Sequence, residues 1–159
     1  MKRLIPAASF AAVVAAVSFC LSPAHAAPST ATVLDCELTV VGMNPDGSFQ
    51  TTPMECQLVD ATTTEAAPSD RPMQALATLA THYTGFNRTG SRLTINGGAC
   101  NGGWLNLPSG WVDAIASTYS YCNVTHHSSF FQTGNVEIVY APGGNLTVLA
   151  YDAASTTYW

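Results

Sequence analysis

A stretch near the C-terminal end of this chain reads as a copy of an earlier one, and the repeat limits what the chain can fold into. Asp113-Ala114-Ile115-Ala116-Ser117-Thr118-Tyr119 returns 39 residues later as Asp152-Ala153-Ala154-Ser155-Thr156-Thr157-Tyr158. Upstream of each copy a Thr-Gly step opens an apolar/polar alternation. Thr89-Gly90 leads into Ser91-Arg92-Leu93-Thr94-Ile95, and Thr133-Gly134 leads into Asn135-Val136-Glu137-Ile138-Val139. Self-similarity at this period means one supersecondary unit used twice, in which neither copy buries its apolar face alone.

The N-terminus has the pattern of an export signal. Lys2 and Arg3 precede an apolar run from Leu4 to Leu21, and Ala24-His25-Ala26 is a small-x-small cleavage site, so residues 1–26 are expected to be removed. No later segment reaches the roughly 20 apolar residues that span a bilayer as a helix. The remaining 133 residues suit one domain with a real core. They hold three arginines and no lysine against ten acidic residues, a formal charge of −7. Such a surface repels phosphate backbones and anionic lipid, so neither nucleic acid nor a membrane is an expected partner. Cys36, Cys56, Cys100 and Cys122 remain, an even number that argues for two disulfides in a secreted protein. Three pairings exist. Proximity favours Cys36–Cys56 and Cys100–Cys122, each worth roughly 3 kcal/mol in the chain-entropy model. A four-cysteine metal site is the rival, and it lacks any Cys-x-x-Cys spacing.

Val33 to Val41 alternates as a strand, Asn44-Pro45-Asp46-Gly47-Ser48 signals a turn, and Phe49 to Val59 reads as the returning strand. Residues 27–59 thus form an N-terminal β-hairpin extension with Cys36 facing Cys56. Residues 60–76 read as a Thr/Ala/Pro-rich linker. Met73 to Thr81 fits a helical face or a strand, and the repeat that follows favours the strand. From Ala77 on, short strands alternate with glycine turns, the signature of a β-sandwich or barrel. Trp104, Leu105, Leu107, Trp111 and Ile115 are the expected core of the first copy; Val136, Ile138, Tyr140, Leu146, Val148 and Leu149 are that of the second.

Within each copy a strand, a Thr-Gly hairpin, an alternating strand, a glycine loop and an Asp/Ser segment follow in order. The residues carrying this order are His82–Ser91 and Gly110–Ser117 in the first copy, and Phe130–Gly134 and Tyr151–Thr156 in the second. This order resembles the Greek-key motif of the βγ-crystallin superfamily, in particular its small secreted bacterial members. For residues 77–159 the resemblance implies two Greek-key motifs packed as a two-sheet, all-β sandwich. It also implies a calcium site, because many of these domains hold the ion with acidic or amide residues followed by Ser/Thr and Ser. Here the first copy has Val112 and Ala116 at ligand positions. The second has Tyr151 at the first position and keeps Asp152, Ser155 and Thr156. No cofactor is therefore expected, with Ca2+ through Asp152 and Ser155 as the alternative. Asp113 and Asp152 are expected instead to accept backbone N–H bonds in their turns.

His126-His127 is the conspicuous titratable pair. Neighbours on a strand point to opposite faces, so the two imidazoles are not expected to share a metal, and a surface or edge position is predicted. His82, beside Tyr83, can meet either in space. No Gly-x-Ser-x-Gly elbow, His-Glu-x-x-His helix or phosphate-cradling loop is present. A non-enzymatic binding module is expected, with an extracellular protein as partner. The resemblance gives one concrete version, since some members inhibit extracellular metalloproteinases; the alternative is a calcium-dependent extracellular structural or stress protein. The candidate contact residues are Asn101, Gly102 and Gly103 in one loop and Pro142 and Gly143 in another.

Overall fold

Apolar residues two apart along the strands set the sheet faces. A computed structural model of the chain describes residues 31–61 and 77–159, in which eleven strands form two sheets and no α-helix occurs. The expected signal segment and all but residues 60 and 61 of the expected linker, Met73–Leu76 included, lie outside the described residues. The strands are β1 (Thr32–Met43), β2 (Phe49–Thr51), β3 (Glu55–Asp60), β4 (Ala77–Gly85), β5 (Thr89–Gly97), β6 (Gly103–Asn106), β7 (Ser117–Ser120), β8 (Val124–Ser129), β9 (Thr133–Val139), β10 (Gly143–Asn145) and β11 (Ser155–Tyr158). One sheet runs β10-β7-β4-β5-β1-β2, with β3 also on β1; the other runs β6-β11-β8-β9. The protein is an all-β sandwich.

β4–β7 and β8–β11 are the two copies, and their sheets are built alike. Each contains the first, second and fourth strands of its own copy and borrows the third from the other: β10 pairs β7, and β6 pairs β11. The turns repeat as well. Asn87 and Arg88 have positive φ, as do Phe131 and Gln132. Thr89 Oγ1 donates to Phe86 O and Thr133 Oγ1 to Phe130 O, both at 2.8 Å. Asn145 Oδ1 accepts from Asn87 N at 2.7 Å, and Asn106 Oδ1 accepts from Phe131 N at 2.8 Å, so each borrowed strand caps the turn of its host.

These pairs correct the register of the repeat. Ser117 and Ser155 are equivalent, each accepting from a turn N–H (Arg88, Gln132) and donating to a carbonyl (Gly85, Ser129). Four residues before each serine, Asp113 (φ 56) and Tyr151 (φ 63) take the left-handed conformation. Asp113 therefore matches Tyr151, and Asp152 matches Ala114; the Asp-to-Asp alignment was one residue out, because the second loop is one residue shorter.

The extension packs on the sandwich. β1 runs parallel to β5, with Cys36 opposite Leu93 and Leu38 opposite Ile95, and all four side chains are buried. Cys36–Cys56 joins directly opposed residues of β1 and β3, and Cys100–Cys122 forms the second bridge. Two disulfides fit an oxidising, extracellular environment. Among the described residues no helix is long and apolar enough to cross a membrane. The returning strand is split at Thr52–Met54, where Pro53 supplies no N–H. Its turn forms as expected: Gly47 (φ 84) donates to Asn44 O, and Asp46 Oδ1 accepts from Ser48 N and Oγ. The turn then reaches the opposite sheet, where Trp104 N donates to Gly47 O and Trp104 Nε1 to Asp46 O. Phe49 stacks on Tyr158 with ring centres 5.9 Å apart. The second sheet thus takes its edge from β6, and the hairpin bridges to that edge.

All five expected core residues of the first copy are buried. In the second, Leu146 and Leu149 are buried, whereas Val136, Ile138, Tyr140 and Val148 are exposed. On β9 the inward face carries Glu137 and Val139. The Glu137 carboxylate accepts from Thr147 N and Oγ1, Val148 N and Leu149 N, which fixes that parity and turns the two apolar residues outward.

A Cβ on Gly103 would lie 1.8 Å from Phe49 Cε1. Gly103→Ala is expected to cost about 2 kcal/mol by overpacking, and Phe49→Ala about 3 kcal/mol. Urea titration measures both; a neutral effect for both would mean that the extension is not docked.

Candidate binding surface and the buried histidines

Three loop segments meet at one end of the sandwich. Cys100–Cys122 ties the loop after β5 to the β7–β8 turn. Asn123 N and O pair with Trp159 O and N at 2.8 and 3.0 Å, and Asn123 Oδ1 accepts from Ala141 N at 3.2 Å. Gly102 N donates to Tyr158 O, and Gly143 N closes the 140–143 turn onto Tyr140 O. The sequence candidates Asn101, Gly102, Pro142 and Gly143 are therefore brought to the same end. Gly103 stands apart: it is buried under Phe49 and paired with Tyr158 in the sheet. Gly143 is half-buried, and a Cβ there would meet Thr118 O at 2.2 Å, so glycine is required for the β10–β7 contact. Exposed aromatics rim this end. Tyr121 (71% exposed), Tyr140 (63%) and Trp159 (45%) stand out of the surface, with Tyr140 edge-on to Trp159 and Trp159 Nε1 bonded to Thr125 Oγ1. Sequence reading placed Tyr140 in the core; the outward parity of β9 put it here.

Asp152 and Ser155 are not arranged as a ligand pair. Asp152 is exposed, whereas Ser155 is buried with its hydroxyl engaged as donor and acceptor. The expected backbone N–H bonds to Asp113 and Asp152 do not form among the described residues; both carboxylates face solvent. No group of three or more His, Cys, Asp or Glu side chains converges among the described residues.

The histidines are not at an edge. His126 and His127 do point to opposite faces, but β8 lies between β11 and β9, and both are buried. His126 meets His82 in the core, ring centres 5.3 Å apart. Thr156 Oγ1 donates to Tyr158 OH at 2.9 Å. The phenol then has its own proton to give, to His82 Nε2 at 2.9 Å. That leaves the His82 proton on Nδ1, facing Thr118 Oγ1 at 2.9 Å, and Thr118 in turn reaches His126 Nε2 at 3.0 Å. The chain ends at His126 Nδ1, which is buried without a partner. Burial, with the neighbouring His126, holds His82 well below the usual imidazole range. Burial lowers His126 to about 3 despite the Glu137 carboxylate, and it raises the Tyr158 phenol. The signal for this network was present: in the hairpin register, 44 residues apart, His82 and His126 occupy equivalent positions. The Asp-to-Asp alignment hid it.

Both core imidazoles stay neutral when the unfolded chain protonates. Native stability is therefore full above about pH 6.5 and falls as pH drops towards the folded value, by up to about 1.4 kcal/mol per pH unit per histidine. Glu137 works in the same direction at lower pH. Burial raises it, but four hydrogen bonds outweigh that and lower its pKa. Urea midpoints between about pH 7 and 4 should fall steeply, and His126→Leu should flatten the slope. A flat profile in the parent protein would contradict the buried, neutral assignment. In comparisons with known proteins, no family model, no curated protein and no solved structure matches this chain.

Proposed function

We propose that the protein is a secreted, non-enzymatic binding module of the βγ-crystallin type that engages an extracellular protein, in the inhibitor version a proteinase. The observation that carries this reading is the convergence of three short loops and an aromatic rim on one braced end. Preorganisation of this kind lowers the entropy lost on binding, and exposed Tyr and Trp are the residue types that dominate interfaces. The shared strand order and the exchanged third strands support the double Greek-key reading. The core histidines are spent on hydroxyl partners away from solvent, which supports a structural role for them. The export signal and the two disulfides support secretion.

Titration of the processed protein against a panel of secreted proteinases, metalloproteinases included, tests the inhibitor version. Stoichiometric loss of one enzyme's activity is the expected result, weakened by about 2 kcal/mol or more in Tyr140→Ser. If every enzyme keeps its activity, the inhibitor version falls. Melting in calcium and then in chelator addresses cofactor use. The reading expects no shift, whereas an ion at 100 times its dissociation constant would add about 2.7 kcal/mol.

A further inference from the structure

The described residues contain two arginines, and they are used differently. Arg92 forks onto Asp35, Nε to Oδ1 at 2.7 Å and Nη2 to Oδ2 at 2.6 Å. Arg88 meets no carboxylate among the described residues. Its guanidinium carbon lies 4.2 Å from the centre of the Tyr119 ring, a cation–π stack that holds the group while leaving its N–H edge free. The backbone beneath is fixed too. Arg88 has φ 62, and its N–H donates to Ser117 Oγ at 3.1 Å, itself anchored on Gly85 O at 2.7 Å.

Beside this arginine is an open cleft lined by Asn87, Ser117, Thr118, Gly144 and Asn145. Asn145 occupies Asn87 from both sides, accepting from its main-chain N and donating Nδ2 to its Oδ1 at 2.9 Å. The Asn87 Nδ2 group is left as a donor without an acceptor among the described residues. No atom lies within 4 Å of where a Gly144 Cβ would stand, so the cleft is unobstructed there. The fold does not require a cation at this position. The equivalent residue in the second copy is Gln132, whose amide oxygen accepts from Thr157 Oγ1.

We propose that the Arg88 cleft is a carboxylate-binding site that takes an acidic side chain from a peptide segment of a partner protein. A planar guanidinium with its edge free matches a carboxylate bidentately. The one guanidinium at this cleft neutralises one negative charge, and the chain around it is acidic, which favours a monoanion over a phosphate dianion. Tyr119 lies against Tyr121, which continues the surface towards the aromatic end. The inference deepens the partner-binding reading and rests on it for the partner alone; the site itself is tested without one.

The processed, 15N-labelled protein is titrated with capped aspartate (N-acetyl, C-amide), with sodium chloride at matched ionic strength, and with inorganic phosphate. Capped aspartate should give saturable shifts of Arg88 Nε–H, the Asn87 side-chain amide and the Gly144 amide that chloride does not reproduce. Arg88→Gln should abolish them, with an unchanged melting midpoint showing that the fold is intact. Arg88→Lys, which cannot fork, should weaken binding about tenfold. Shifts equal to those from chloride, or undiminished in Arg88→Gln, would overturn the site. A stronger saturable response to phosphate would overturn the carboxylate assignment. If the site titrates while every proteinase remains active, the inhibitor reading fails and this one stands.

Discussion

The structure depends on an exchange of strands. β6 leaves the first copy to pair with β11, and β10 leaves the second to pair with β7. With each strand travels an asparagine, Asn106 or Asn145, that satisfies a backbone N–H in the other copy's left-handed turn. An unpaired N–H in such a turn, and non-glycine residues at positive φ, both carry a cost. The exchange meets that cost reciprocally, so each half supplies what the other lacks.

The extension extends this dependence. β1 lengthens the first sheet beside β5, and its turn bonds to Trp104 on the edge of the second. Phe49 fills the space that Gly103 leaves, reaching Tyr158, and Tyr158 anchors the hydroxyl–imidazole chain. A path of direct contacts therefore runs from the N-terminal hairpin to the paired core histidines. Acid loss of their neutrality acts on the joint between the sheets.

Local chemistry made some of this legible in the sequence. The Asn44–Ser48 turn, the two disulfides, the β1 alternation and the first-copy core follow from φ preferences, spacing and period. What stayed hidden depended on partners distant in sequence. The parity of β9 cannot be read from Val136 and Ile138, because it is set by Glu137 gathering the 147–149 backbone. The Asp113/Asp152 match looked sound as a string and failed as geometry. Only the turn N–H bonds to Ser117 and Ser155 show that Tyr151, not Asp152, is the equivalent of Asp113. The convergence of the 98–103 and 140–143 loops was equally invisible, since a third segment joins them, Cys122 by its bridge to Cys100 and Asn123 by its bond from Ala141 N. Of the candidate contacts, Gly103 alone turned inward, for the reason that makes it a glycine.

The crossed third strands also govern how the molecule can be made. A chain emerging N-terminus first cannot finish its first sheet until Asn145 is available, although β4, β5 and β7 were complete by Ser120. Nor can the second sheet close before β11 (Ser155–Tyr158) is made, because β11 lies between β6 and β8. Both sheets therefore wait on strands of the second copy, and loss of β11 leaves β6 and β8 without their shared partner. Topology dominated by such distant pairings folds slowly. Until β10 and β11 arrive, β7 and β6 each present an unpaired edge.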